Sequence, residues 1–278
     1  MSSAGAGNGY ASSYCGDGTL KAESLVVIPT YNEVENLDAI VAAVYDVLPQ
    51  TSILIIDDAS PDGTGRLADE LTQRYPSLYV LHRPGKQGLG TAYVAGFRYA
   101  LEHNYDCVFE MDADFSHDPR YLPALLEATK QADLVIGSRY VPGGHTPDWG
   151  LSRRLISGFG NVFARTLLQL PVRDCTAGFK CYRRTVLEAF DLDMIRLEGY
   201  AFQIETVYQV HHKGLRIKEI PIVFPDRKVG RSKMSKAIVA EAFTYVIRRR
   251  LGGVAQGARR APGSQVIGTD ESTRNAGV

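Results

Sequence analysis

The 278-residue sequence is short of cysteine and of long apolar runs, and neither sign of charge is in excess. Its four cysteines form no Cys-x-x-Cys pair, which argues against a dithiol or zinc motif and predicts reduced thiols in a cytosolic protein. The best apolar stretch, residues 155–170, contains Asn161 and Arg165. Because a membrane-spanning helix needs about 20 apolar residues, any membrane contact is predicted to be peripheral.

Charge and composition also limit which partners are expected and where the folded domain begins and ends. Lysine plus arginine number 31, as do aspartate plus glutamate, so the net charge does not indicate a nucleic-acid partner. Residues 1–23 are rich in Gly, Ser and Ala without the pattern of a signal peptide, and are predicted to be a disordered leader. Residues 252–278 are polar and are predicted to be a disordered tail. One domain is therefore predicted over residues 24–251.

Short β-branched runs alternate with helical patterns along this domain. Strands are predicted at residues 24–28, 52–56, 78–81, 107–111, 133–137 and, as an edge strand because of Pro221, 217–224. Helices are predicted at 33–48, 65–75, 89–103, 119–130, 151–170, 201–212 and 234–250. This alternation predicts an α/β fold, with a Rossmann-like, mostly parallel sheet and helices on both faces.

Polar residues follow four of the predicted strands. They are Pro29-Thr30-Tyr31-Asn32-Glu33, Asp57-Asp58-Ala59-Ser60, Asp112-Ala113-Asp114 and Ser138-Arg139-Tyr140. In parallel α/β sheets, ligands bind beyond the carboxyl ends of the strands. The four clusters are therefore predicted to converge on one crevice.

Asp112 and Asp114 supply the carboxylate oxygens that Mg²⁺ or Mn²⁺ prefers, with phosphates and water completing the coordination. An isolated pair of this kind is more often a helix cap, and Asp118 before Pro119 is a well-placed cap. An EF-hand loop is excluded, because Pro123 stands where the bidentate glutamate belongs. The position of the pair after a buried strand, beside three other polar strand ends, favours a clamp for metal and phosphate.

The second strand and the glycine pair carry weaker signals. Asp57 and Asp58 can accept hydrogen bonds from a base or a ribose, whereas the Pro-Asp-Gly sequence at 61–63 is typical of a simple turn. Gly88-Leu89-Gly90 lacks the rest of a dinucleotide-binding pattern. It is interpreted as a tight turn that packs the following helix near the crevice.

The end of the first strand has two compatible interpretations. Tyr31 offers an aromatic face to a nucleobase, and Glu33 offers a carboxylate to its polar edge. Alternatively, Thr30 and Asn32 cap the next helix, with Glu35 as a capping-box partner.

Basic and amphipathic segments complete the set of candidates. Arg139, Arg227 and Lys233 are suited to clamping phosphates, although a solvated basic loop explains the run from residue 227 equally well. The patterns at 151–170 and 234–250 combine apolar stripes with arginines, which is typical of helices at a membrane interface. For 151–170, packing in the core is an equal alternative.

Taken together, these segments resemble the family-2 glycosyltransferases of GT-A fold, and more closely the dolichol-phosphate or polyprenol-phosphate mannose synthases. The matching motifs are VIPTYNE at 27–33, IDDASPDGT at 56–64, GLGTAY at 88–93, MDADFSH at 111–117, GSRY at 137–140, GYAFQ at 199–203 and RKVGRSKM at 227–234. They occur in family order and cover nearly all of the predicted domain.

The resemblance implies transfer of mannose, with inversion, from GDP-mannose to a polyprenyl (dolichyl) monophosphate. The implied site residues are Pro29, Tyr31, Glu33, Ile56 and Asp58 for the guanosine, Asp112, Ala113 and Asp114 for Mg²⁺ or Mn²⁺ and the donor, and Arg139, Arg227 and Lys233 for the phosphates. Asp112, Asp114 and Arg139 are the implied catalytic residues. Ser116 stands where some members have a metal-binding Gln. The implied location is the cytoplasmic face of a membrane, with a separate membrane-anchoring subunit as a further partner.

Three other functions remain open. The same early motifs fit transfer of glucose or N-acetylglucosamine to polyprenyl phosphate. A nicotinamide-dependent dehydrogenase is disfavoured, because no Gly-x-Gly-x-x-Gly follows the first strand. An inactive nucleotide-binding subunit is disfavoured by the presence of Asp112, Asp114 and Arg139.

Overall fold

The computed structural model describes residues 23–226 and 236–252. The strands in these residues are β1 Ser24–Thr30, β2 Ser52–Asp57, β3 Leu78–His82, β4 Cys107–Glu110, β5 Leu134–Ser138, β6 Lys180–Arg183 and β7 Ile217–Pro221. They form one sheet in the order β3-β2-β1-β4-β6-β5-β7. Only β6 runs against its neighbours, since it pairs antiparallel with both β4 and β5. The mostly parallel sheet is therefore confirmed.

The helices lie on both faces of this sheet, as predicted. They are α1 Val34–Val47, α2 Thr64–Arg74, α3 Leu89–Glu102, α4 Leu122–Ala128, α5 Leu151–Leu168, α6 Arg184–Ala189, α7 Gly199–His212 and α8 Lys236–Arg250, with a 3₁₀ turn at Pro119–Tyr121. Each helix predicted from periodicity is present to within a few residues. β6 and α6 were not predicted, because both are too short to show a period.

The central strands are buried on both faces, which explains their continuous apolar sequences. In β1, Val26 and Ile28 face a core packed by α1, α2 and α4. Leu25 and Val27 face a second core packed by α3, α5, α6, α7 and α8. Successive residues of a strand point to opposite faces, so one apolar run serves both cores.

β7 is an edge strand, as the proline predicted, but it ends at Pro221 and does not continue to residue 224. The domain boundaries at residues 24 and 251 stay a prediction. Except for Glu23 and Gly252, the predicted leader and tail lie outside the described residues. Cys107, Cys175 and Cys181 are buried free thiols.

α5 buries only part of its apolar stripe. Leu155, Ile156, Phe159 and Val162 are each more than half exposed, whereas Asn161, Ala164 and Leu168 are buried. The core-packing interpretation is therefore wrong for these four exposed residues, although Phe163 and Leu167 of the same stripe pack against the core. Within the described residues, no helix is both long and apolar enough to cross a membrane.

Candidate active site

A cleft of about 650 Å³ opens at the carboxyl ends of β1, β4 and β5. From the predicted polar strand ends, its wall includes Pro29, Glu33, Asp112, Ala113, Asp114 and Arg139. Three of the four clusters thus meet at one cleft, as predicted. The prediction is wrong for the fourth cluster, after β2, which lies outside the cleft wall, as do Tyr31 and Ile56.

The two aspartates after β4 differ in exposure. Asp112 has about 30% of its side chain exposed, and the Tyr93 hydroxyl donates to its Oδ1 over 3.3 Å. Asp114 is buried, and its Oδ1 accepts from the backbone N–H and the hydroxyl of Ser116, at 3.0 and 2.6 Å. Asp118 caps the next turn by accepting from a backbone N–H. The helix-cap alternative is therefore wrong for Asp112 and Asp114, which present carboxylates to the cleft.

His117 and Ser116 hold this acidic loop in place. The His117 ring stacks on Phe179 with 4.9 Å between centroids, and its Nδ1 accepts the backbone N–H of Asp112 at 2.9 Å. The Ser116 hydroxyl is donated to Asp114, so this serine orients a carboxylate. The sequence alone did not indicate either contact.

Arg139 is buried, and its guanidinium is hydrogen-bonded to neighbouring side chains. Its Nε and Nη2 donate to the two oxygens of Asp174 at 2.8 and 2.7 Å, and Nη2 also donates to Thr176 Oγ1 at 2.8 Å. Trp149 and Phe224 lie 5.6 and 5.4 Å from the guanidinium. Burial opposes the charged form, but the charge and hydrogen bonds of Asp174 outweigh burial and raise the pKa of Arg139. Arg139 therefore remains a cation in the cleft wall.

The turn between β1 and α1 is held from the next loop. The predicted caps, Thr30 and Asn32, are wrong, because the first backbone N–H of α1 donates to Asp62 at 3.2 Å. The N–H of Glu33 donates to the Thr64 hydroxyl at 2.9 Å. These bonds explain why the Pro-Asp-Gly turn lies beside the first strand end.

Tyr31 and Glu33 are placed next to polar neighbours at this end of the cleft. Lys86 Nζ lies 4.5 Å from the centre of the Tyr31 ring, a cation–π distance. Glu33 Oε2 accepts from the side-chain amide of Asn36 at 3.1 Å. Lys86 also lines the cleft, so a cation that no motif indicated lies where a nucleotide was predicted.

Asp57 and Asp58 are buried and hydrogen-bonded within the protein. Asp58 accepts from Arg83 Nε at 2.5 Å and from the backbone N–H of Gln87 at 3.2 Å. Asp57 accepts from the Ser60 hydroxyl at 2.5 Å, and Ile56 is fully buried. Asp58 therefore fixes the loop from Arg83 to Gln87 that borders the cleft, and guanosine contacts by Ile56 and Asp58 stay a prediction.

Gly88 precedes α3 and Gly90 lies in its first turn, so the glycines pack the start of this helix near the cleft, as predicted, without forming a separate tight turn. Gly88 has a φ of +98°, and a Cβ there would lie within 2.3 Å of the Glu198 carboxylate. A Cβ on Gly90 would lie 2.0 Å from the carbonyl oxygen of Leu197. Glu198 accepts the Gly90 N–H at 3.3 Å, which joins the start of α3 to the start of α7.

A buried polar network lies beneath the cleft floor. Tyr182 donates to Glu110 at 2.8 Å, while Lys180 Nζ donates to Thr206 at 2.8 Å and to the side-chain oxygen of Gln203. Burial raises the pKa of Glu110 to about 6, against the opposing charge of Lys180. Burial also lowers the pKa of Lys180 to about 8, against the opposing charge of Glu110. No sequence pattern indicated this network.

An apolar cavity of about 240 Å³ between α5 and α8 adjoins the cleft. The two share the wall residues Trp149, Arg153, Thr176 and Tyr200. Arg153 lies 4.0 Å from the Trp149 ring centre and pairs with Asp226 at 2.7 Å. Arg153 and Asp174 carry no distinguishing sequence signal. The predicted phosphate contacts Arg227 and Lys233 lie outside the described residues.

The sheet order, with a carboxylate pair at the end of its central strand, is that of a GT-A glycosyltransferase. Solved structures of glucosyl-3-phosphoglycerate synthase from Mycobacterium tuberculosis match with a TM-score of 0.61 and cover 83% of this chain and 80% of theirs. One contains phosphoglyceric acid, and another contains Mn²⁺, UDP and glucosyl-3-phosphoglycerate. At 17% and 16% identity they establish the fold alone.

The chain belongs to glycosyl transferase family 2, whose model matches residues 25–190. Undecaprenyl-phosphate mannosyltransferase of Micrococcus luteus is 49% identical over 235 residues, which are 84% of this chain and 97% of that protein. Polyprenol monophosphomannose synthase of Mycolicibacterium smegmatis is 47% identical over 238 residues, 85% of this chain and 90% of that protein.

Proposed function

We propose that this glycosyltransferase moves mannose from GDP-mannose to a polyprenyl (dolichyl) monophosphate, with inversion at the anomeric carbon. The observation that carries the proposal is the shared wall between the acidic cleft and the apolar cavity. A polar donor and an isoprenoid acceptor need two such adjoining environments. The names of the two relatives support the same substrates.

The donor would lie along the cleft, from the β1 end to the acidic loop. Pro29 and Glu33 border the end assigned to guanosine, where Lys86 supplies a positive charge. Arg139 is held in the opposite wall by Asp174. A buried, preoriented cation stabilises charge that develops on a leaving diphosphate.

Asp112 and Asp114 would hold Mg²⁺ or Mn²⁺. Across the part of the chain that the structure describes, no three His, Cys, Asp or Glu side chains are grouped to bind a metal. Two carboxylates nevertheless fit these cations, which commonly take the remaining ligands from substrate phosphates and water. When bound, the metal supplies charge neutralisation for the diphosphate leaving group.

The acceptor phosphate is already an anion, so the reaction requires no general base. An oxygen of the lipid phosphate forms the new bond to the anomeric carbon, and the bond from that carbon to the diphosphate oxygen of GDP breaks. Arg153 lies where the cleft meets the apolar cavity, and it is therefore suited to hold the lipid phosphate while the first isoprene units enter the cavity.

The exposed face of α5 supports a membrane surface as a further partner. Its apolar residues are flanked by Arg153 and Arg154. Such a face binds at the boundary of headgroups and acyl chains, and the arginines favour anionic lipid. A peripheral location on the cytoplasmic face, where GDP-mannose would be available, follows from this proposal. A separate anchoring subunit stays a prediction.

Turnover of radiolabelled GDP-mannose with polyprenyl phosphate and Mn²⁺ or Mg²⁺ tests the reaction. We expect labelled glycolipid from the wild type. Asp114→Ala should form it at least roughly 100-fold more slowly, because one preorganised electrostatic contact is worth about 3–4 kcal/mol. Asp118→Ala, which removes the neighbouring cap and its ion pair with Arg120, is the matched control. Transfer from UDP-glucose or UDP-N-acetylglucosamine instead would establish the alternative donors. Undiminished transfer by Asp114→Ala with added metal would contradict the metal site.

A further inference from the structure

A small space beside the acidic loop is bordered by two buried polar side chains. A Cβ built on Gly178 would lie 3.4 Å from His117 Cε1 and 3.5 Å from Gln203 Nε2, which are ordinary contact distances. All three residues line the cleft. His117 is bonded to the backbone of Asp112, so this space lies next to the carboxylates assigned to the diphosphate.

The hydrogen bond at His117 determines where its ring carries a proton. Nδ1 accepts the Asp112 N–H at 2.9 Å, so it holds no hydrogen of its own. The ring is therefore the neutral tautomer with hydrogen on Nε2. Nε2 lies 3.8 Å from the Cβ position of Gly178, and His117 thus presents an N–H donor toward this space.

The amide of Gln203 is oriented by Lys180. The ammonium group of Lys180 can only donate, so the Gln203 oxygen must face it and Nε2 must lie on the other side. Among the described residues, this buried Nε2 has no acceptor in hydrogen-bond geometry. The amide does lie near enough to Glu110 to lower the pKa of that carboxyl. The amide nitrogen carries two hydrogens, so even with one directed toward Glu110 a second buried hydrogen is left for an acceptor that a ligand supplies.

We propose that His117 Nε2 and Gln203 Nε2 bind hydroxyl oxygens of the donor's hexose and determine which sugar the site accepts. The inference rests on the proposed function, because a sugar attached to a diphosphate at Asp112 and Asp114 lies beside those residues. Gly178 leaves the room that the ring requires. Hydroxyl oxygens are good acceptors, and a site built to bond one discriminates against sugars that lack it.

Three variants separate sugar binding from nucleotide binding. Gly178→Ala fills the space with a methyl group without a close contact. Gln203→Glu keeps an oxygen for Lys180 but replaces the N–H donor, and His117→Asn can keep an acceptor for the Asp112 N–H but loses Nε2. Gly158→Ala is the control, because a Cβ there meets nothing within 4 Å.

Calorimetry would compare the affinities for GDP and GDP-mannose, with Mn²⁺ and without acceptor. We expect Gly178→Ala and Gln203→Glu to bind GDP like the wild type and GDP-mannose roughly 5–10-fold more weakly, the effect of one hydrogen bond. His117 also supports the acidic loop, so for His117→Asn the expected result is a roughly 5–10-fold smaller ratio of GDP-mannose affinity to GDP affinity. Deoxy analogues of GDP-mannose identify the hydroxyl. The analogue that lacks the partner of Gln203 should bind wild type and Gln203→Glu equally.

Two outcomes would overturn the inference, and they can be told apart. If the wild type transfers mannose but all three variants bind GDP-mannose as tightly as the wild type, the sugar lies elsewhere and the proposed function stands. If the wild type binds GDP-mannose no more tightly than GDP and does not transfer mannose, the proposed function fails and the inference fails with it. Unchanged thermal unfolding of Gly178→Ala would exclude misfolding as the cause of a loss.

Discussion

At the scale of single residues, the contacts around Asp114 and Arg139 show how oppositely charged side chains of one cleft are held in fixed orientations. Ser116 donates twice to one oxygen of Asp114. Asp174 accepts two hydrogen bonds from the guanidinium of Arg139 and one from its backbone N–H. Each functional group is thus oriented by a neighbour that itself lies behind the cleft wall or within the same loop. Such supporting contacts commonly matter almost as much as the groups they orient.

Ser116→Ala is expected to reduce turnover about 10-fold, because Asp114 is the proposed metal ligand and outer contacts to such a ligand are typically worth 10–100-fold. The loss should appear as a higher Mn²⁺ requirement, measured by titrating the metal at saturating donor. Ser116→Thr retains the hydroxyl and should restore most of the activity. A wild-type metal titration for Ser116→Ala would contradict the orienting role.

Asp174→Ala is expected to destabilise the protein by about 3–5 kcal/mol, because it leaves Arg139 buried without its counter-charge. Asp226→Ala breaks the more exposed pair with Arg153 and should cost at most about 1 kcal/mol. Urea unfolding of both variants measures the difference. Equal urea midpoints for the two variants would mean that the buried pair of Arg139 contributes no more to stability than the exposed pair of Arg153.

At the scale of elements, α5 shows what an apolar stripe leaves undecided. Its spacing predicts a helix whichever surface covers the stripe, because periodicity reports conformation and not the neighbour. In the structure the helix buries its small and polar side, including Asn161, which donates to Thr176 at 2.8 Å. Four of its large apolar residues, Leu155, Ile156, Phe159 and Val162, are left more than half exposed.

Replacing Leu155 and Phe159 together with serine is expected to lower binding to anionic liposomes at least 10-fold, since each large apolar side chain contributes roughly 1.5–3 kcal/mol when buried. Flotation measures the bound fraction. Tyr79→Ser removes an exposed aromatic from β3 and serves as the control. If the double variant floats like the control, α5 does not contact the membrane.

At the scale of the whole molecule, the network of Glu110 and Lys180 joins β4 to β6 and α7. These elements enclose the floor of the cleft and come from distant parts of the chain. Glu110 is fully buried, and its pKa of about 6 lies above the ordinary value of 4.5. The folded protein therefore holds this proton more tightly than the unfolded chain does.

It follows that protonated Glu110 contributes to the free energy of unfolding below pH 4.5, and that this contribution is lost as the pH rises through about 6. The lost free energy of unfolding amounts to about 2 kcal/mol, at 1.36 kcal/mol for each pKa unit. Glu110→Gln lacks this titration, so its stability relative to the wild type should rise between pH 4.5 and 7. Urea unfolding across that range measures the change, and a constant difference between the two proteins would contradict it.

The class of fold followed from the sequence, because the alternation of strand and helix periods is a local property of the chain. The sequence predicted that four strand ends meet, since the carboxyl ends of parallel strands share one edge of the sheet, and three of the four line the cleft. The antiparallel β6 was not predictable, because its four-residue segment is too short to show a period and carries no mark of strand direction.

The partners of the charged residues follow from the packing of the folded chain and not from its local sequence. Arg83 meets Asp58, Arg139 meets Asp174 and Tyr182 meets Glu110 across 25 to 72 positions, and no local spacing records such contacts. Packing likewise decided that the apolar side of α5 faces outward. Local periodicity fixes what each segment becomes, whereas the identity of its neighbours depends on how all the segments pack together.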